Sequence, residues 1–229
     1  MPSNLRQSDT ALSLGLAFVG GYGDAASFVL AKTFTGHVTG NLVLGAIGVA
    51  LHDWRATLGS LSAIVAFFAG VVLSTLVAHY LKAWPSLPLL SIVMAVEVIL
   101  IVAASFALAS DVAHGIGIFV VFVSLALGLQ NGAFRRAGGV SVHTTYLTGM
   151  LTSLILTEAE KYTSGSPSTP PGTSDPKIGV LFRIWVAFVL GAGTGAAMVL
   201  HFRAFGMLGA ALALIMLLFL PPMAGAEIE

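Results

Sequence analysis

Long apolar runs separated by short polar joints dominate this chain. Eight can be marked, at residues 11–31, 36–52, 59–81, 86–109, 112–134, 143–157, 179–201 and 203–220. All are too apolar for the one-sided stripe of a helix on a soluble core, and none alternates apolar and polar residues as a half-buried strand does. Hydrocarbon accepts only helices or closed barrels, because every backbone polar group needs an internal partner there. Without alternation, helices are predicted. A polar tail at 1–10 precedes the runs and a tail at 221–229 follows them. Arg6 ahead of the first run also fits a secretory signal, but the further runs behind it favour a first spanning helix. Residues 158–178 break the pattern: four prolines with Ser, Thr and Gly predict a mobile aqueous loop.

The second half of the chain resembles the first. GYGDAASFVLAKTFTGHVTGNL lies over QNGAFRRAGGVSVHTTYLTGML when 109 is added to each number, so that Gly23 meets Gly132, Thr35 meets Thr144, Thr39 meets Thr148 and Gly40 meets Gly149. AFFAGVV lies over AFVLGAG at an offset of 121, bringing Phe67 onto Phe188 and Gly70 onto Gly191. The loop at 158–178 absorbs the difference between the offsets. One membrane domain, 11–220, is therefore read as repeat one (11–109) and repeat two (112–220). Such repeats recur in secondary transporters, with the site at their interface.

In the segments that begin TGHVTG and HTTYLTG the uninterrupted apolar part is short, Leu42–Leu51 in the first. Apolar runs of about 10–14 residues are more often re-entrant or buried than spanning. If both TG segments enter and return, the N-terminal side holds Arg6, Lys82, Arg135, Arg136, Lys161, Lys177 and Arg183, and the other side Lys32, Arg55 and Arg203. That asymmetry puts the N-terminus in the cytoplasm by the positive-inside rule. The fold class expected is an all-α integral membrane protein with about six full transmembrane helices plus two short TG-motif helices. Eight spanning helices, with the basic residues divided evenly, is the alternative.

Composition narrows the function. Of 229 residues, 57% are hydrophobic and 9% charged, with ten basic and ten acidic side chains. A soluble domain carries roughly 25% charged residues, so the lipid bilayer is the expected partner. Charge balance excludes a nucleic-acid binder that works by phosphate neutralisation. The absence of cysteine removes thiolate metal sites and a cysteine nucleophile. No metal, cofactor or catalytic residue is expected, since no HExxH, GxSxG or P-loop pattern occurs.

Attention then falls on polar residues that are costly to place in oil. Asp24 follows Gly20, Gly21 and Gly23 within the first segment. A central aspartate costs roughly 2.5–3.5 kcal/mol on insertion scales, so it needs water, a partner or a proton. Glu97 lies mid-segment without a polar neighbour in sequence, and with Asp24 is a candidate for handling a proton or cation. Helical spacing sets Thr35 and Thr39 on one face of the first TG segment and His37 with Asn41 on another. Thr144 and Thr148 repeat that threonine face in the second half. Gln130 and Asn131 align with Gly21 and Tyr22 and are expected to line the same polar centre. Gly36 and Gly40, like Gly128 with Gly132 and Gly191 with Gly195, have a GxxxG spacing that favours helix contact; Gly23, Gly70 and Gly149 join them as packing positions.

GYGDAASF and FTGHVTGNLVLGAI, followed by AFFAG and a second TTYLTG, resemble the YoaK-like family of bacterial multi-pass membrane proteins, a domain of unknown function. The likeness runs from about residue 11 to 220, and its most specific pieces are Gly23-Asp24 and Thr39-Gly40-Asn41. In the second half Met150 replaces Asn41, so the two copies differ there. The resemblance implies about six helices (compare) in a bacterial plasma membrane and brings no substrate.

Three readings of function follow. The foremost is a transporter of a small polar solute or ion, with a site between the repeats formed by Asp24, Thr35, His37, Thr39, Asn41, Gln130, Asn131, Thr144 and Thr148. A non-catalytic assembly or sensor protein, with glycines in homo-oligomer contacts, is the alternative. A membrane-embedded enzyme using Asp24, His37 or His143 as acid or base comes third.

Overall fold

The computed structural model describes residues 3–82, 88–110, 114–134, 136–137, 140–141 and 176–219, with isolated positions 149, 152, 155, 156 and 159. The expected second TG segment and the 158–178 loop fall largely outside these residues. Helices account for nearly everything described: α1 (Ser3–Ala31), α2 (Val38–Ala50), α3 (Trp54–Leu81), α4 (Leu89–Ala109), α5 (Gly115–Ala133), α6 (Pro176–Phe202) and α7 (Leu208–Leu218), with a 3-10 turn at Arg203–Met207 between the last two. A two-residue antiparallel ladder pairs Arg136–Ala137 with Val140–Ser141. Helix α1 begins inside the polar tail, so residues 3–10 continue the helix instead of trailing from it.

Five helical stretches are long and apolar enough to cross a membrane, and the last, Gly179–Leu218, contains the 3-10 turn. That stretch doubles back. At Arg203 the backbone enters the left-handed region, φ 53°, and Gly206 is folded against the Met198 carbonyl. Tyr22 of α1 donates its hydroxyl to the Gly206 carbonyl and holds the reversal. Gly191 and Gly195 of α6 lie against Phe18 and Tyr22, whereas Gly209 and Leu217 of α7 lie against Tyr22 and Gly15. Helix α6 therefore runs with α1, and α7 runs against it.

Close glycine contacts give the other directions. Gly70 of α3 sits on the α5 backbone at Leu125 and Leu129, Gly128 of α5 on Phe67, and Gly132 on Val71 and Ser74. Helices α3 and α5 are thus parallel, at a separation that only a missing Cβ permits. Gln130 of α5 donates to the Leu16 carbonyl while Gly23 touches Leu127, so α5 runs opposite to α1. Helices α1, α3, α4, α5, α6 and α7 alternate in direction.

The short helix α2 does not add a crossing. Its 13 residues span about 20 Å, against about 30 Å of hydrocarbon. Gly45 packs against Ser60 and Gly48 against Thr57, so α2 is antiparallel to the first half of α3 and returns to the side on which α1 ends.

The core lies along α1, α4, α5, the 3-10 turn and α7, where Leu16, Val19, Tyr22, Ile101, Phe119, Leu127, Met207 and Leu214 are buried. The outer face of α3 (Leu58, Val65, Phe68, Val72) is exposed in the isolated chain. An all-apolar exposed stripe of this kind is what lipid covers.

Candidate functional site at the α1–α2 break

Helix α1 ends at Ala31, seven residues past Asp24, or about 10 Å. Lys32 then takes φ 57°, the left-handed conformation that ends helices, and the chain turns back on itself. Residues 32–37 are non-helical. This loop descends along α1 until Thr35 and Gly36 stand beside Asp24. Gly23 is level with Leu127, and the next residue of α5, Gly128, is level with Phe67, which is midway along Trp54–Leu81. The turn therefore lies near half-height in the bundle.

Asp24 is 3% exposed and binds three donors. Its Oδ1 accepts from the backbone N–H of Thr35 at 2.9 Å and of Gly36 at 2.6 Å. Its Oδ2 lies 2.8 Å from His37 Nδ1. With the carboxylate ionised, the imidazole donates from Nδ1, and Nε2 is left for another partner. The His37 side chain is 36% exposed, so the pair is closed on the aspartate side and open on the histidine side. Converging backbone N–H groups from a tight turn form an anion-binding concavity; here the anion is a residue of the preceding helix.

Asn41 holds the other end of the loop. Its Oδ1 accepts from Phe34 N at 3.0 Å and its Nδ2 donates to Phe34 O at 2.7 Å, satisfying both backbone groups of one loop residue. Thr35 Oγ1 donates to Ser27 Oγ at 3.2 Å. The Phe34 ring stacks on Phe28, with centroids 4.7 Å apart, and the His37 ring lies 6.2 Å from that of Phe188. Phe188 belongs to α6, so the second half of the chain reaches the site.

Several sequence expectations are corrected here. Thr35 and His37 do not occupy helical faces, because the helix starts at Val38; Thr35, Gly36 and His37 instead each bond to Asp24, an acceptor outside their own segment. Gly36 is not half of a helix-packing pair: it is a loop residue that donates to Asp24. Gly40, in the first turn of α2, packs against Phe34 and His37 of the loop before it. Thr39 is exposed in the first turn of α2. The described bonds of Gln130 and Asn131 run to the Leu16 carbonyl, two turns below Asp24, and to the Leu127 carbonyl of its own helix. Thr144 and Thr148 lie outside the described residues, and Gly149 is helical. Gly70, Gly128, Gly132, Gly191 and Gly195 all make the interhelical contacts described above.

Ser27, Phe28 and Phe34 are site residues that sequence reasoning missed. Ser27 and Phe28 fall three and four residues after Asp24, on its helical face, which is the signal that reveals them. An apolar cleft of about 400 Å³ lined by Met198, Phe202, Phe205, Leu208, Gly209 and Leu212 sits at the α6–α7 turn and includes none of the Asp24 cluster. It suits an acyl chain better than a polar solute.

Residues 12–220 match the family described as "Protein of unknown function (DUF1275)". The chain is also similar to the UPF0700 transmembrane protein YoaK of Bacillus subtilis (strain 168), 29% identical over 151 residues, which are 64% of this chain. The match spans 65% of that relative's own length, slightly under two thirds. No solved structure matches the chain.

Proposed function

From the premise that the chain belongs to the DUF1275 family of proteins of unknown function, we propose that this multi-pass membrane protein is a transporter of a small polar solute or ion, with its polar centre at the α1–α2 break. The observation that carries the reading is a carboxylate–imidazole pair, Asp24–His37, held at half-height in the bundle by a non-helical turn. Transporters place discontinuous helices and exposed backbone near the bilayer midplane, where a solute takes the place of water. A residue as costly as Asp24 in hydrocarbon is by default a functional candidate.

The packing supports two inverted halves around this centre. Helix α1 pairs with α6 and α5 pairs with α3, both in parallel, while α1 opposes α5. That exchange is expected of two three-crossing units related by a two-fold axis in the membrane plane. Under this arrangement the basic residues fall seven against three, as counted above, and the N-terminus is cytoplasmic. The assembly reading draws less support, because the glycines it relies on are occupied within one chain.

The test uses the cysteine-free background. Thr39→Cys, at the exposed first turn of α2, is treated with a membrane-impermeant maleimide in oriented vesicles, with His52→Cys at the exposed α2–α3 turn as the control. Modification of the Thr39 variant, at a rate altered by Asp24→Asn, is the expected result. Labelling at position 52 with none at 39 from either side would mean that the break faces lipid, and the transport reading would fall.

A further inference from the structure

Glu97 belongs to no part of the Asp24 cluster. It lies in the interior of α4, is fully buried, and among the described residues neither carboxyl oxygen has a hydrogen-bond partner. Helix α4 packs on α5, α7, the 3-10 turn and, more lightly, α3. Helices α5 and α7 carry no ionisable side chain. The turn carries Arg203, which is exposed; Phe205, two residues on, packs on Phe106, nine residues along α4 from Glu97, or about 13 Å. Helix α3 carries Arg55, His79 and Tyr80, all exposed and near its ends. No cation on these elements is thus placed to neutralise the carboxylate.

An ion left in that position has lost its water and gained nothing in exchange. A bound metal ion is a poor substitute, since hard cations require several oxygen ligands and no group of three or more acidic or histidine side chains occurs among the described residues. A proton needs only the carboxylate. We propose that Glu97 is a proton-binding site in the bundle interior that exchanges its proton with water. One O–H bond forms at a carboxylate oxygen as one breaks in hydronium, and the reverse occurs on release. A fixed structural acid keeps its proton and pairs it with an acceptor, and Glu97 has none among the described residues. The inference goes beyond the reading of the α1–α2 break and does not depend on it.

Infrared difference spectroscopy of the full-length protein in lipid tests this. The protonated carboxyl band is followed between low and high pH and after transfer to heavy water, for wild type and Glu97→Gln. The expected result is a band that shifts on deuteration, weakens as pH rises and is absent from the Glu97→Gln protein. Should that variant fail to fold, wild type grown on 13C-glutamate separates glutamate from aspartate bands, and the other four glutamates, at 158, 160, 227 and 229, fall outside the apolar segments. A Glu97 band that ignores both heavy water and pH would overturn the proposal. So would a carboxyl ionised throughout, or a band removed by sodium but not by choline.

Discussion

Replacing Asp24 measures how much of the α1–α2 break depends on one carboxylate. Asp24→Ala removes the acceptor from two buried backbone donors, Thr35 N–H and Gly36 N–H, and from His37. A buried donor without a partner costs about 1–3 kcal/mol, so the two amides alone lose about 2–6 kcal/mol on that scale. Asp24→Asn keeps an acceptor oxygen for the two amides and forfeits charge assistance and the donor from His37, a loss of about 1–2 kcal/mol. For a chain of this size 1 kcal/mol corresponds to about 2–4 °C in melting temperature. The alanine variant should therefore melt roughly 4–24 °C below wild type, and the asparagine variant roughly 2–8 °C below it. Thermal unfolding in one detergent, followed by size-exclusion elution, reads both. Equal melting temperatures for the two variants would refute the reasoning, since they differ chiefly in whether the amides keep an acceptor.

Two further predictions concern the frame around the site. Asn41→Asp should destabilise at least as much as Asn41→Ala, because a carboxylate accepts from Phe34 N–H but is turned against the Phe34 carbonyl that Nδ2 now satisfies; the same melts decide it, and an aspartate variant as stable as wild type contradicts the pairing. Gly191→Ala should cost about 1–3 kcal/mol by forcing a methyl onto the Phe18 backbone, whereas Gly193→Ala, two residues along and in open space, should be neutral or gain up to about 1 kcal/mol of helix propensity. Similar melting temperatures for these two would count against the close α1–α6 contact.

Most of the architecture was legible in the pattern of apolar positions. Apolar runs of spanning length separated by short joints leave little choice besides a helical bundle in lipid, and the shortness of Leu42–Leu51 pointed to a segment that does not cross. Asp24 and Glu97 were legible too, because a charge within an apolar run needs an explanation whatever the fold. Helical spacing misled at Thr35, Gly36 and His37. Periodicity describes only bonds between residues three or four apart, whereas the loop is held by a carboxylate 11–13 residues earlier. A bond to a distant acceptor leaves no periodic trace.

What the amino-acid order determined by itself is the solvent, because burying so few charges among so many apolar side chains is favourable only in hydrocarbon. It determined as well which groups are costly there. Tertiary structure decided where the costs are met: the loop amides converge on Asp24, the Asn41 amide closes on Phe34, and the α6–α7 reversal is held by the Tyr22 hydroxyl. It also decided that the glycines bring α1 onto α6 and α3 onto α5. A missing Cβ allows backbones to approach but does not name the partner, and that choice rests on which surfaces fit once all the helices are present.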